Sequence, residues 1–171
     1  MLSLTAMDEL RFPIDGYTIR DAVCDDNGFI KDCMRESILM SVPDNERELS
    51  GLWIEDILSL TSVAMDGGMM RSEIMILENE DSKRTGMLWM GISRDQFTCE
   101  ETGYLLGLFV IGESRGKGLG NALIGCAEDW CRKRHLLSMT LNVGSSNVSA
   151  KDLYDRLGLR ERSTVMRKRI L

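Results

Sequence analysis

The sequence predicts an α/β (α+β) fold, with a mixed, mostly antiparallel central sheet flanked by helices. Short segments with alternating apolar residues recur along the chain, longer segments carry apolar residues at helical spacing, and the turns between the middle strands are short enough for an antiparallel meander. The predicted order of elements is β-α-α-β-β-β-α-β-α-β. A chain of 171 residues with two prolines and no linker-like stretch fits one core, so we expect a single domain over residues 1–171.

The first elements are predicted to be one strand and two amphipathic helices. Residues 17–23 are β-prone, and residues 27–40 carry apolar side chains at helical spacing until Pro43 and Asp44 break the pattern. A second helical pattern covers residues 46–65 and ends before a pair of glycines.

Three strands are predicted in the middle of the chain. They cover residues 73–78, 85–92 and 103–111, and polar turns at 79–84 and 93–101 separate them. Because both turns are short, we expect neighbouring strands to run antiparallel.

The spacing of apolar residues changes twice in the last third of the chain. A glycine turn leads from the third of these strands into a helix that begins near Gly120, and residues 139–143 alternate as another strand. This crossover places the two strands side by side and parallel. A short helix is predicted over residues 149–157, and the alternating residues 159–170 predict a final strand.

Composition excludes several classes of function. The net charge of −6 and the pI near 4.9 oppose binding to nucleic acid or to anionic membranes. The chain has no apolar run of the roughly 18 residues that a membrane helix needs, and its N-terminus lacks the pattern of a signal peptide, so we expect a cytoplasmic protein.

A metal site is not expected either. The five cysteines show no Cys-x-x-Cys spacing, which favours free thiols in a reducing compartment. His135 is the sole histidine, and its position after the predicted helix favours a helix end or the surface.

The glycine turn reads Arg115-Gly116-Lys117-Gly118-Leu119-Gly120 and lies between a strand and a helix. Unpaired N–H groups and the positive end of the helix dipole make such a turn an anion site, although a tight connection without a ligand is the alternative. Its spacing matches neither the P-loop G-x-x-x-x-G-K-[ST] nor the dinucleotide fingerprint G-x-G-x-x-G.

Arg115, Gly118 and Gly120 match the pattern Gln/Arg-x-x-Gly-x-Gly/Ala, and on this turn the chain resembles the GNAT superfamily of acetyltransferases. A second segment, from Asn147 to Leu159, resembles the family's N-x-x-A-x-x-L-Y-x-x-L-G-F. Together they cover a CoA-binding half at about residues 103–170. Leu159 replaces the usual phenylalanine, and Gly112 stands where many members have proline.

The resemblance implies an acetyl-CoA-dependent N-acetyltransferase, an acyltransferase that moves an acetyl group to a primary amine of a small molecule, peptide or protein by direct attack on the thioester. It implies that the strand backbone contacts pantetheine, that the turn holds the pyrophosphate, and that Asn147 contacts the cofactor arm. The strand residues are Leu108, Phe109 and Val110, and the turn residues are Arg115, Gly116, Lys117, Gly118, Leu119 and Gly120. No metal is implied.

Tyr154 matches the family tyrosine whose hydroxyl protonates the departing thiolate, the alternative being a core tyrosine at helical spacing. Glu101, just before the predicted strand, is the candidate general base acting through water, and a solvated turn residue is its alternative. The expected partners are acetyl-CoA and an amine, with no nucleic acid and no membrane, and a homodimer is compatible with the sequence. A non-catalytic CoA-binding regulatory module of the same fold is the alternative function.

Overall fold

Five strands form one sheet in the order β1-β2-β3-β4-β5 in the computed structural model, which describes residues 11–43, 46, 72–168 and 170. The strands are β1 Tyr17–Asp21, β2 Ser72–Asn79, β3 Arg84–Arg94, β4 Glu101–Val110 and β5 Met139–Leu141. β1 to β4 pair antiparallel in sequence order, whereas β5 pairs parallel with β4. The predicted mixed, mostly antiparallel sheet is confirmed.

Three α-helices are described, and the helix predicted over residues 46–65 lies outside the described residues except for Glu46. The three are α1 Asn27–Ser41, α2 Leu119–Lys133 and α3 Val148–Arg156. In the ranges that the structure describes, no helix is long and apolar enough to cross a membrane.

The two faces of the sheet carry separate apolar clusters. α1 covers one face, where Ile30 and Cys33 pack against β-strand residues that include Met87 and Phe109. α2 covers the other face and buries Leu123 and seven further residues along one side. We call these the α1 face and the α2 face.

The final strand predicted over residues 159–170 is not formed. None of the described residues 159–168 and 170 is in a strand, and Val165 and Met166 are almost fully exposed, at 97% and 90%. The prediction is wrong because alternating apolar residues show only which face of a strand could be buried. A strand forms when a neighbouring strand is available to form hydrogen bonds with it. β5 offers little such support, since it has three residues.

Candidate functional site

A gap opens between β4 and β5, because their pairing covers few residues. Gly103, Tyr104 and Leu105 pair with β5, and Leu105 opposite Leu141 is the last pair. β4 continues to Val110, where residues 107–110 pair with β3 and no residue after Leu105 pairs with β5. One edge of β4 therefore presents unpaired backbone groups to the gap.

A β-bulge in β4 lies at the point where the gap begins. Trp89 pairs with Gly107 and Met90 pairs with Leu105, so Leu106 is the extra residue on β4. Leu106 packs with the α1-face cluster, and a Cβ on Gly107 would lie 3.1 Å from Met34 Sδ on the same face. The bulge thus turns two consecutive residues to the α1 face.

Two hydrogen bonds show which backbone groups of β4 face the gap. The Gly103 N–H donates to Ser138 O at 3.0 Å on the β5 side, and the Ile111 N–H donates to Thr85 O at 3.0 Å on the β3 side. Because N–H directions alternate along a strand, Leu108 and Val110 face the gap and Phe109 faces β3. The sequence prediction treated all three residues as pantetheine contacts, because residue type does not show which way a backbone N–H points.

The glycine turn forms a cradle of N–H groups at the start of α2. Gly116 and Gly118 have φ of 78° and 79°, which favours glycine, and Gly118 is the N-cap of α2 without a side-chain cap. The first helical bond runs from Ala122 N to Gly118 O. In the described part of the chain nothing accepts from the six preceding N–H groups, which belong to Gly116, Lys117, Gly118, Leu119, Gly120 and Asn121.

This cradle has the chemistry of an anion site. The N-terminal end of α2 carries partial positive charge, and its first turn holds no acidic residue. Successive N–H groups that converge on one point bind phosphate oxygens. The turn therefore fits a diphosphate by its backbone.

The two basic side chains of the turn lie in different positions. Arg115 Nε donates to the Val110 carbonyl at 2.9 Å, and its guanidinium lies 5.2 Å from the centre of the Phe109 ring. Lys117 is exposed, with Nζ 3.4 Å from the Tyr17 hydroxyl. Arg115 thus stabilises the end of β4, and Lys117 leaves its charge at the surface beside the cradle.

α3 packs against the cradle, which brings the two sequence motifs together. A Cβ on Gly120 would lie 3.2 Å from Leu153 Cδ2. Asn147 is the N-cap of α3, and its Oδ1 accepts from Ala150 N at 3.3 Å. Sequence reasoning missed this capping role, which the Asn-x-x-Ala spacing before a helix could have indicated.

Tyr154 is partly buried on α3 and packs against the α2-face cluster. Burial raises the pKa of its hydroxyl above the ordinary value of 10.0. No hydrogen bond to this hydroxyl is formed within the described ranges. The side chain is therefore a neutral O–H donor over the whole neutral pH range.

Glu101 lies at the far end of β4 from the cradle. It is exposed, opens the strand and pairs with Arg94 of β3. The gap begins after Leu105, four residues further on, about 13 Å along a strand. The structure therefore does not bring Glu101 to the gap. In the described residues no group of acidic, cysteine and histidine side chains is arranged to hold a metal ion.

Comparison with known proteins agrees with this geometry. Residues 48–159 match the family model described as the acetyltransferase (GNAT) family. A putative acetyl transferase from Pyrococcus furiosus is similar in structure, with 28% identity and a TM-score of 0.72 over 90% of this chain and 99% of that one. AAC(6')-Iy in complex with the bisubstrate analogue CoA-S-monomethyl-acetylneamine shares the fold, with 19% identity and a TM-score of 0.60 over 90% and 99% of the two chains.

A curated relative is an uncharacterized N-acetyltransferase of Methanocaldococcus jannaschii. It is 40% identical over 58 residues, which are 34% of this chain, and the match spans about a quarter (26%) of that relative's length. The family model covers more than half of the present sequence and includes both the cradle and α3. The chain therefore belongs to the acetyltransferase (GNAT) family.

Proposed function

We propose that the protein transfers an acetyl group from acetyl-CoA to a primary amine of a small molecule, peptide or protein. The family uses acetyl-CoA, which supplies an activated thioester carbonyl when it is bound. The amine nitrogen forms a bond to the acetyl carbon while the carbon–sulfur bond breaks. The amine loses one proton and the departing thiolate takes one up, so the reaction needs no other reactant.

The observation that carries this proposal is the cradle beside the gap. Its unpaired N–H groups suit a diphosphate, and the free edge of β4 ends at Val110, one short connection before the turn. A ligand with a diphosphate at one end and a chain of amides at the other fits this combination. CoA has that chemistry.

The residues have distinct roles in the proposal. The glycine turn from Arg115 to Gly120 holds the pyrophosphate, with Lys117 adding charge. The Leu108 carbonyl and the Val110 N–H pair with the amides of pantetheine, and the Leu108 N–H stabilises the oxyanion. Phe109 supports this edge, because its backbone faces β3 and its ring lies under the Arg115 guanidinium.

Tyr154 is the proposed acid, because its raised pKa keeps the proton available for the thiolate. Glu101 stays the proposed base, and it would need a chain of several waters to reach the amine, because it lies four residues before the start of the gap. Asn147 positions α3 and offers its amide N–H groups to the cofactor arm. We propose one acetyltransferase domain over residues 1–171, in the cytoplasm, where the five cysteines stay free as in the structure.

A thiol-release assay with acetyl-CoA and a panel of polyamines, aminoglycosides and peptides tests the function. We expect thiol release that depends on one class of amine, together with CoA binding in a calorimetric titration. Tight CoA binding without turnover on any amine supports a non-catalytic CoA-binding module instead. No binding of CoA contradicts both functions.

Gly118→Ala tests the cradle. An L-residue at φ +79° is strained, so the turn moves and its N–H groups lose their arrangement. We expect affinity for CoA to fall by about ten-fold or more, as measured by calorimetry.

Gly125→Ala is the matched control for this variant. Gly125 lies in the interior of α2, and an added Cβ there meets no atom within 4 Å. We expect unchanged CoA affinity and a small gain in stability, since alanine favours a helix. Equal affinities of the two variants for CoA argue against a backbone cradle.

A further inference from the structure

We propose that Tyr104 and Asn142 together bind the amino end of the acceptor and orient it toward the thioester. This inference rests on the proposed function and extends it to residues that no motif identifies. It depends on where the gap closes, on which face of the sheet the two side chains lie, and on what each can bind.

The gap closes at the pair formed by Leu105 and Leu141. The cradle lies beyond the opposite end of the gap, after Val110. A chain-like ligand that is anchored in the cradle and bonded to the edge of β4 therefore runs back toward this closed end. Its reactive terminus comes to lie between the Leu108 N–H and the last pair of β4 and β5.

Tyr104 and Asn142 are adjacent to that last pair. Tyr104 precedes Leu105 on β4 and pairs with Thr140, and Asn142 is the first residue after β5. The Tyr104 hydroxyl interacts with the Asn142 side chain. The two polar groups therefore meet where the strands separate.

Both side chains lie on the α1 face. A Cβ on Gly103 would meet Cys131 of α2, and Leu105 belongs to the α2-face cluster, so Tyr104 between them points the other way. Met139 and Leu141 of β5 also pack on the α2 face. By the same alternation Asn142 points to the α1 face.

The α2 face is filled at this point. Tyr154 and Leu157 of α3 pack there against the cluster that contains Leu105. An acceptor that approaches from the α2 face would have to displace this packing. The α1 face offers a half-buried hydroxyl and an exposed amide instead, which leaves a route from solvent.

The chemistry of the pair suits a neutral amine. The amine must be unprotonated to attack a thioester, so its two N–H groups need acceptors and its lone pair must stay free. A phenol oxygen and an amide oxygen accept hydrogen bonds without attracting a full positive charge. Unlike a carboxylate, the pair therefore holds the amine without a negative charge that would raise the pKa of its ammonium form.

Steady-state kinetics of Tyr104→Phe with the best amine of the panel test this inference. We expect the KM for the amine to rise about five-fold or more, while the KM for acetyl-CoA stays within about two-fold. Asn142→Ala should act in the same direction. The double variant should lose less than the product of the two single effects, because both groups act on one amine.

Thr18→Val is the matched control, since it removes a hydroxyl from an exposed position of β1 at the other edge of the sheet. It should leave the KM for the amine unchanged. Thermal unfolding of each variant shows whether the fold is kept. A similar rise in both KM values of Tyr104→Phe would indicate general damage and would overturn the inference.

An unchanged KM for the amine in Tyr104→Phe would overturn the inference while leaving the proposed function intact. Absence of turnover by the wild-type protein on every amine contradicts the proposed function, and the inference fails with it. Measurement of wild-type turnover therefore distinguishes failure of this inference from failure of the proposed function.

Discussion

At the scale of single residues, this site depends more on backbone direction and burial than on charged side chains. Arg115 was expected to contact the pyrophosphate, yet its guanidinium bonds the Val110 carbonyl and lies over the Phe109 ring. Leu108 and Val110 face the gap through their backbone, and the turn presents its N–H groups. Tyr154 is the exception, because its proposed role depends on its hydroxyl.

Tyr154→Phe should lower kcat about ten-fold or more and leave acetyl-CoA binding nearly unchanged. Burial raises the pKa of the hydroxyl above 10.0, and the protonated acid is the form below that pKa. Deprotonation of Tyr154 should therefore cause no loss of kcat below about pH 10. Turnover measured against pH for both proteins checks this, and an unchanged kcat in the variant would refute the acid role.

At the scale of elements, the ends of the helices follow local chemistry. α2 ends with the N–H of Leu136 bonded to Cys131 O at 3.1 Å and that of His135 bonded to Arg132 O at 3.0 Å. Together, these two hydrogen bonds define a Schellman motif, in which the residue with left-handed backbone is usually glycine. His135 occupies that position with φ 57° and is exposed, which confirms its prediction as a helix-end or surface residue.

His135→Gly should therefore stabilise the protein. Relief of the left-handed strain is worth about 0.5–1 kcal/mol in the free energy of unfolding. Urea denaturation followed by circular dichroism measures this value. His135→Ala keeps the strain and should show no comparable gain, whereas a loss of stability in His135→Gly would show that the imidazole itself stabilises the helix end.

Most element boundaries were predicted closely, because periodicity is a local property. The helix expected over residues 27–40 is observed as Asn27–Ser41, and the one expected over 149–157 as Val148–Arg156. The strand expected over 139–143 is shorter, at Met139–Leu141, and the one expected over 159–170 is absent from the described residues. Both differences concern strands, whose existence depends on a partner that is distant in sequence.

At the scale of the whole molecule, a buried carboxylate joins several elements. Asp26, just before α1, has a fully buried side chain that accepts from Arg20 of β1 at 2.7 Å and forms an ion pair with Arg84 of β3 at 2.6 Å. Arg20 also bonds Glu78 of β2 at 2.6 Å. This network fixes the start of α1 against the part of the sheet that lies away from the gap.

Asp26 should make the stability of the protein sensitive to acid. Its hydrogen bonds with Arg20 lower its pKa from 3.8 to about 2. Because the folded pKa is depressed, its contribution of about 2 kcal/mol is present above about pH 4 and is lost as the pH falls toward 2. Denaturant unfolding between pH 2 and 7 measures the slope.

Asp26→Asn provides the comparison. The variant should be less stable by about 2 kcal/mol at neutral pH, and the difference from wild type should shrink as the pH approaches 2. A difference that stays constant over this range would show that packing, not charge, accounts for the effect of Asp26.

The sequence by itself determined the chemistry of the turn, the positions of the helices and the membership suggested by its two motifs, because glycine placement and amphipathic spacing act over a few residues. The tertiary structure alone decided three features of the site: Leu108 and Val110 face the gap, Glu101 lies far from it, and Tyr104 meets Asn142 where it closes. Strand register, one bulge and the early end of β5 set these features. Such properties arise from pairing between distant segments, which no local pattern encodes.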